Sequence, residues 1–174
     1  MQRAIAHLPE CGFYSPYGGK AEYFEDDRLL YFYGSLFVYG GKIMDPIWNE
    51  MYSAAKAVKN ARKISDYVTC GEVAAAVLSS SGRIYTGVCI DTCSTLGICA
   101  ERNAIFNMIT NGEQEISKVL AVLPDGSCGA PCGACRELMV QLMPGKYKDI
   151  EIMADFNAGR IVTLGELTPE WWIK

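Results

Sequence analysis

Cys99-Ala100-Glu101-Arg102 and Pro131-Cys132-Gly133-Ala134-Cys135-Arg136 are the two stretches around which this chain has to arrange itself. They offer three thiols and one carboxylate, and each stands where a helix should begin. A helix N-terminus carries roughly half a positive charge and unpaired N–H groups, a field that favours thiolate over thiol. Cys132 and Cys135, spaced i and i+3 on a first turn, face one point. Cys99, heading a neighbouring helix, brings the third sulfur. Three thiolates hold a zinc ion and leave its fourth position open, which a closed structural site does not do. Glu101, two residues past Cys99, can handle protons at that position without being forced onto the metal. Arg102 is the candidate for drawing charge back from electron-rich sulfurs by hydrogen bonding to them.

The flanking sequence predicts how those helices are held. Residues 102–130 contain one unbroken apolar run, Val119 to Leu123, as expected of a strand buried on both faces. Upstream, Val73 to Leu78 and Ile84 to Ile90 read as two strands joined by Ser79-Ser80-Ser81-Gly82. Asp45 and Pro46 suit a helix start, with an apolar stripe of Ile47, Met51, Ala54, Ala55 and Val58 running to about Arg62. Cys99 to about Met108 is the second helix, with Ile105, Phe106 and Ile109 expected inward, and Pro131 opens a third that ends at Pro144-Gly145. Ile150 to Met153 and Ile161 to Leu164 complete the strands. The order α-β-β-α-β-α-β-β predicts an α/β fold, a three-layer α-β-α sandwich on a mixed five-stranded sheet.

Composition narrows the classes of function. A chain of 174 residues is long enough for a real core in one domain. Its net charge of −4 gives no reason to expect a nucleic acid polymer as partner, and a small neutral or cationic substrate is easier to accommodate. No apolar run approaches the ~18 residues that span a membrane. Eight cysteines without a secretory signal point to reduced thiols in a cytoplasmic location. His7 is the single histidine, so Ser-His-Asp and Cys-His catalysis have little material. Cys70, Cys89, Cys93 and Cys128 are most simply small buried apolar residues.

Residues 1–43 read differently, rich in Tyr, Phe and Gly, with Leu29 to Tyr39 apolar enough for a strand or hairpin. The Gly40-Gly41-Lys42 codons can spell a purine-rich ribosome-binding sequence just ahead of Met44. Residues 1–43 are thus an N-terminal extension or a translated leader, and residues 44–174 the catalytic domain.

Taken alone, Cys132-Gly133-Ala134-Cys135 also suits a thioredoxin-like dithiol, and Cys128 or Cys93 as fourth thiolate would make a noncatalytic zinc module. A redox dithiol needs neither Cys99 nor Glu101. The combination of Cys-Ala-Glu, an intervening buried strand and Pro-Cys-x-x-Cys resembles the zinc deaminases, in which the catalytic glutamate stands two residues past the first ligand. Leu96 to Ile105 together with Pro131 to Arg136 is similar to the cytidine deaminase family in its all-cysteine form, and Leu78 to Val88 also resembles blasticidin S deaminase. The resemblance runs from about Trp48 to the C-terminus.

That resemblance implies Zn2+ on Cys99, Cys132 and Cys135, proton shuttling by Glu101, and hydrolytic deamination of cytidine or deoxycytidine in pyrimidine salvage, by a homotetramer. A modified cytosine nucleoside such as blasticidin S is the alternative substrate. Asp91, Ala100, Trp171 and Trp172 are the candidate substrate contacts. The family's usual Asn-x-Glu, which reads the ribose, is here Cys89-Ile90-Asp91, and its usual aromatic before the first strand is replaced by Cys70-Gly71-Glu72.

Overall fold

The structure is a computed structural model that describes residues 21–23, 29–31, 37–39 and 42–172. The chain forms two compact units, residues 1–43 and Met44–Lys174. In the first, β1 (Ala21–Tyr23) pairs antiparallel with β2 (Leu29–Tyr31). β3 (Phe37–Tyr39) pairs with β4 (Lys42–Met44), whose last residue begins the second unit. The predicted Leu29–Tyr39 stretch thus holds two strands, and Gly40-Gly41 lies outside the described residues.

The second unit is built on β6 (Val68–Ser79). It pairs antiparallel with β7 (Ile84–Thr92) and, through Ala74–Ser79, with β8 (Ile116–Val122). β9 (Glu151–Asp155) runs parallel to β8, and β10 (Arg160–Thr163) closes that edge antiparallel to β9. The sheet is mixed, as expected, but has six strands rather than five. The additional strand is β5 (Arg62–Ser65), which pairs with the start of β6. Every β5 residue is exposed, so it has no buried face to leave an alternating apolar pattern.

The central strands bury both faces, and alternation sorts their side chains. Ala75, Val77, Val119 and Ala121 face α2 (Ala100–Thr110) and α3 (Gly133–Leu142), packing with Ile105, Met108, Met139 and Val140. Ala74, Ala76, Leu78, Leu120 and Val122 face α1 (Ile47–Val58), packing with Trp48, Met51 and Ala55. Helix α1 stops at Val58, because Arg62 belongs to β5. A short α4 (Leu164–Leu167), not expected from sequence, is closed by a capping box between Thr163 and Glu166. The order of layers is helix, sheet, helix. No helix among the described residues is long and apolar enough to cross a membrane.

Helix α2 presses directly on β7. A Cβ on Gly87 would stand 2.3 Å from the Ala104 nitrogen, so the strand must carry glycine where the helix crosses it. Asn103 and Asn107, one turn apart, donate to the Val88 and Thr86 carbonyls at 2.9 and 3.1 Å. Those bonds occupy backbone acceptors that β7 presents away from β6 and fix the helix's position on the sheet. The inward face of α2 is Ala100, Glu101, Ala104, Ile105 and Met108. Phe106 and Ile109, expected inward, are 44% and 42% exposed, since they fall on the flank of that stripe.

Candidate active site

Cys99 is the N-cap of α2 and Cys132 the N-cap of α3, both with extended backbone and neither making a side-chain cap hydrogen bond. An N-cap is usually Ser, Thr, Asp or Asn, whose oxygen binds the first-turn N–H groups. Here sulfur occupies both positions, and the two helix starts converge so that the sulfurs meet. The Sγ atoms of Cys99 and Cys132 are 3.5 Å apart, as are those of Cys132 and Cys135. All three lie within 4.8 Å of one another, and among the described residues they form the one Cys/His/Asp/Glu cluster so arranged. A tetrahedral zinc ion with bonds of about 2.3 Å holds its sulfurs roughly 3.8 Å apart, so the donor set fits zinc in number, softness and spacing.

Access to the cluster is one-sided. Cys135 is fully buried, Cys99 partly so, and Cys132 is exposed. Burial tends to raise the Cys132 thiol, but the first-turn backbone N–H groups at Cys135 and Ala134, which point toward it, and its sulfur neighbours outweigh this and hold it below the ordinary value of 9.0. Burial pushes Cys135 the other way, and the nearby Glu101 carboxylate and the other two sulfurs add to the rise. Charge crowded in this way calls for a cation. Arg102 answers part of it, its Nη2 donating to Cys99 Sγ at 3.6 Å. That hydrogen bond, the largest influence on Arg102, favours its charged form.

A cavity of about 550 Å³ opens beside Cys99 and Cys132. Glu101, only 6% exposed, and Ala100 line it from the first turn of α2. Asp91 lines it from the end of β7. These three candidates and the sulfurs therefore share one site. Trp171 and Trp172 are elsewhere. Their indole N–H groups donate to the two carboxylate oxygens of Glu137 on α3, each at 3.0 Å, and neither ring lines the cavity. The tail is irregular there, which lets adjacent tryptophans turn to one partner; Trp171 packs against the core and Trp172 is 72% exposed.

The other cysteines separate by environment. Cys70, Cys89 and Cys128 are buried, as expected, whereas Cys93 is exposed in the loop after β7. Cys128 packs among the α1-side residues across the sheet, and burial there pushes its thiol up to about 12. Neither Cys93 nor Cys128 joins the sulfur cluster, so no closed four-thiolate site forms among the described residues. Glu72 and Thr95 also line the cavity, and sequence reasoning did not single out either as a site residue. The signal for Glu72 was Gly71, whose φ of +82° marks a break in strand alternation.

The sequence from Trp48 onward also matches a described family. Residues 48–148 match the cytidine and deoxycytidylate deaminase zinc-binding region. The chain belongs to the cytidine and deoxycytidylate deaminase family. It is accordingly a zinc-dependent hydrolase acting on C–N bonds of cyclic amidines, and zinc is its cofactor. A cytidine deaminase from Halalkalibacterium halodurans is 33% identical over 101 residues, covering 56% of this chain and 74% of that protein. A blasticidin-S deaminase from Bacillus cereus is 31% identical over 108 residues, covering 56% and 74% respectively. Among solved structures, the cytidine deaminase of Mycobacterium leprae superposes with a TM-score of 0.58 at 26% identity, covering 71% of this chain and 98% of its own. The deaminase fold expected from the paired motifs is the fold observed.

Proposed function

We propose that the protein hydrolyses cytidine or deoxycytidine to uridine or deoxyuridine and ammonia, as a step of pyrimidine salvage. The observation that carries this reading is one arrangement: three sulfurs within 4.8 Å at two helix starts, with buried Glu101 lining the adjoining cavity. Cys99, Cys132 and Cys135 would hold the zinc ion, whose Lewis acidity lowers the pKa of water from about 15.7 toward 7. Glu101 accepts a proton from the attacking water and delivers it to the ring nitrogen beside the amino-bearing carbon. Oxygen adds to that carbon, Glu101 takes the second proton from the resulting hydroxyl and passes it to the amino group, and the C–N bond breaks as the carbonyl forms and ammonia leaves. Burial keeps the carboxylate out of bulk water, where solvent would compete for the same proton. Arg102 withdraws charge from Cys99, so that the sulfurs donate less to the ion and leave it more acidic.

Asp91, at the cavity wall, accepts hydrogen bonds from sugar hydroxyls in this reading. The carboxylate one methylene shorter than the family's glutamate, with Cys89 where an amide usually stands, makes blasticidin S the substrate to test beside cytidine. Incubating the zinc-loaded protein with cytidine, deoxycytidine, blasticidin S and adenosine, and following ammonia and the ultraviolet change, decides the matter. Ammonia from the cytosine nucleosides but not adenosine is expected; turnover of blasticidin S alone, or of none, overturns the assignment.

The same reading includes a homotetramer and a cytoplasmic location. The exposed Phe106 and Ile109 on α2 support a subunit contact, and the absence of disulfides among the described cysteines suits a reducing compartment. Light scattering on the purified protein tests the first, and fractionation of the source cells the second.

A further inference from the structure

Three sulfurs converge at the site, but their backbones are not held alike. Cys99 follows Ile98, which exchanges both backbone hydrogen bonds with Ile90 of β7 at 2.9 Å. Its helix is tied to the same strand by Asn103 and Asn107. Cys135 is fully buried in the core. Cys132 has neither support. It is exposed, and Pro131 before it has no N–H with which to pair as Ile98 does. A metal ligand must stay within a few tenths of an ångström of its place, so something else has to hold this loop.

Arg136 supplies that hold. One turn into α3, its Nε donates to the Pro131 carbonyl at 2.8 Å and its Nη1 to the Leu167 carbonyl at 3.1 Å. Pro131 is buried, so its oxygen is costly to leave unpaired. The Leu167 carbonyl is one of those that the end of α4 leaves without a helical partner. A planar guanidinium with donors on two edges joins the two backbones as a rigid link. The next residue acts on the same segment. Glu137 takes the indole N–H groups of Trp171 and Trp172, and Trp171 packs on Tyr147 with ring centres 6.3 Å apart. Neighbouring side chains of α3 thereby hold both ends of residues 167–172. Arg102 acts differently, since its hydrogen bond ends on a sulfur and bears on that sulfur's charge.

We propose that Arg136 is a positioning residue that seats Cys132 for the zinc ion by tying the Pro131 carbonyl to the C-terminal segment 167–172. This rests on the sulfurs being zinc ligands and adds to that reading what fixes the exposed one. The tail is then part of the scaffold of the metal site, although none of residues 167–172 lines the cavity. Loosening either end of the link frees the loop before Cys132 and weakens zinc binding, while Cys99 and Cys135 keep their own supports.

Arg136→Lys keeps the charge but cannot fork to two carbonyls. In competition with a chelator it should bind zinc about 10- to 100-fold more weakly than wild type. Hydrogen exchange on the metal-free proteins should quicken several-fold in peptides covering residues 129–133 and stay unchanged in β6 to β8. Glu113 lies among Ser81, Arg83 and Tyr85, away from the cavity. Glu113→Gln should therefore lower the melting temperature at neutral pH and leave zinc affinity as it was. Where Arg136→Lys does not fold, Trp171→Phe loosens the far end of the same link, keeps a ring on the core, and should weaken zinc several-fold. Wild-type zinc affinity or wild-type exchange in Arg136→Lys would overturn the proposal, as would wild-type affinity in Trp171→Phe where that variant stands in for it. An equal loss of affinity in Glu113→Gln would overturn it too, because general destabilisation would then suffice. If wild-type protein takes up no zinc, it is the zinc reading that fails, and the exchange rates of residues 129–133 decide the proposal.

Discussion

Glu101 differs from most carboxylates by being almost fully enclosed at 6% exposure while facing a cavity. In the proposed reaction it transfers protons rather than making a structural hydrogen bond. Glu101→Ala should keep the zinc, because the three sulfurs are untouched, yet lose at least about 10²- to 10⁴-fold in ammonia release. Metal analysis beside an activity assay checks both halves, and an active variant would refute the role. Arg102 is separable from it: its hydrogen bond ends on a sulfur. Arg102→Leu should weaken zinc binding by about 10- to 100-fold in competition with a chelator. Cys99, Glu101, Cys132 and Cys135 were legible in the sequence because ligand spacing is dictated by chemistry, whatever the surrounding fold. Glu72 was not, because a bulge moves a residue off the face that alternation assigns to it. The two tryptophans, named as candidate substrate contacts, lie outside the cavity in this chain, Trp171 packed on the core and Trp172 exposed.

At the scale of elements, the site depends on how closely α2 can approach the sheet. Gly87 sets that distance, and a Cβ there would collide with helix backbone rather than with a yielding side chain. Gly87→Ala should destabilise the protein by about 1–3 kcal/mol or more, read by thermal or chemical denaturation. Gly133→Ala is the contrast. Its Cβ would meet nothing within 4 Å, and alanine suits a helix better, so a gain of up to about 0.5–1 kcal/mol is expected. Equal effects at the two positions would contradict the close crossing. The three main helices and the strands β6 to β9 were readable from their apolar residues, since each buries a face; β10 was marked by Ile161 and Val162, of which Val162 packs partly buried on the core. β5 was not, because its residues are all exposed and its pairing to β6 is carried by backbone alone.

For the molecule as a whole, stability couples to pH through a clamp at the end opposite the chemistry. Glu113, just past α2, accepts from Ser81 Oγ at 2.8 Å and Tyr85 hydroxyl at 2.9 Å and lies 3.3 Å from Arg83. Hydrogen bonding from Ser79, Ser81 and Tyr85 and the Arg83 charge together outweigh desolvation and hold its carboxyl below the ordinary 4.5. A depressed folded-state value means the clamp stabilises fully above that ordinary value and fades as pH falls through the depressed one. Wild-type stability should therefore drop on acidification in that window, and Glu113→Gln should flatten the drop there; parallel melting curves for both across the window would contradict the clamp. The zinc site acts at the other end of the same body, tying the starts of α2 and α3 together. X-ray absorption at the zinc edge tests the central claim most directly. Three sulfur neighbours at about 2.3 Å and one lighter oxygen or nitrogen neighbour are predicted; four sulfurs, or protein that carries no zinc, would contradict it.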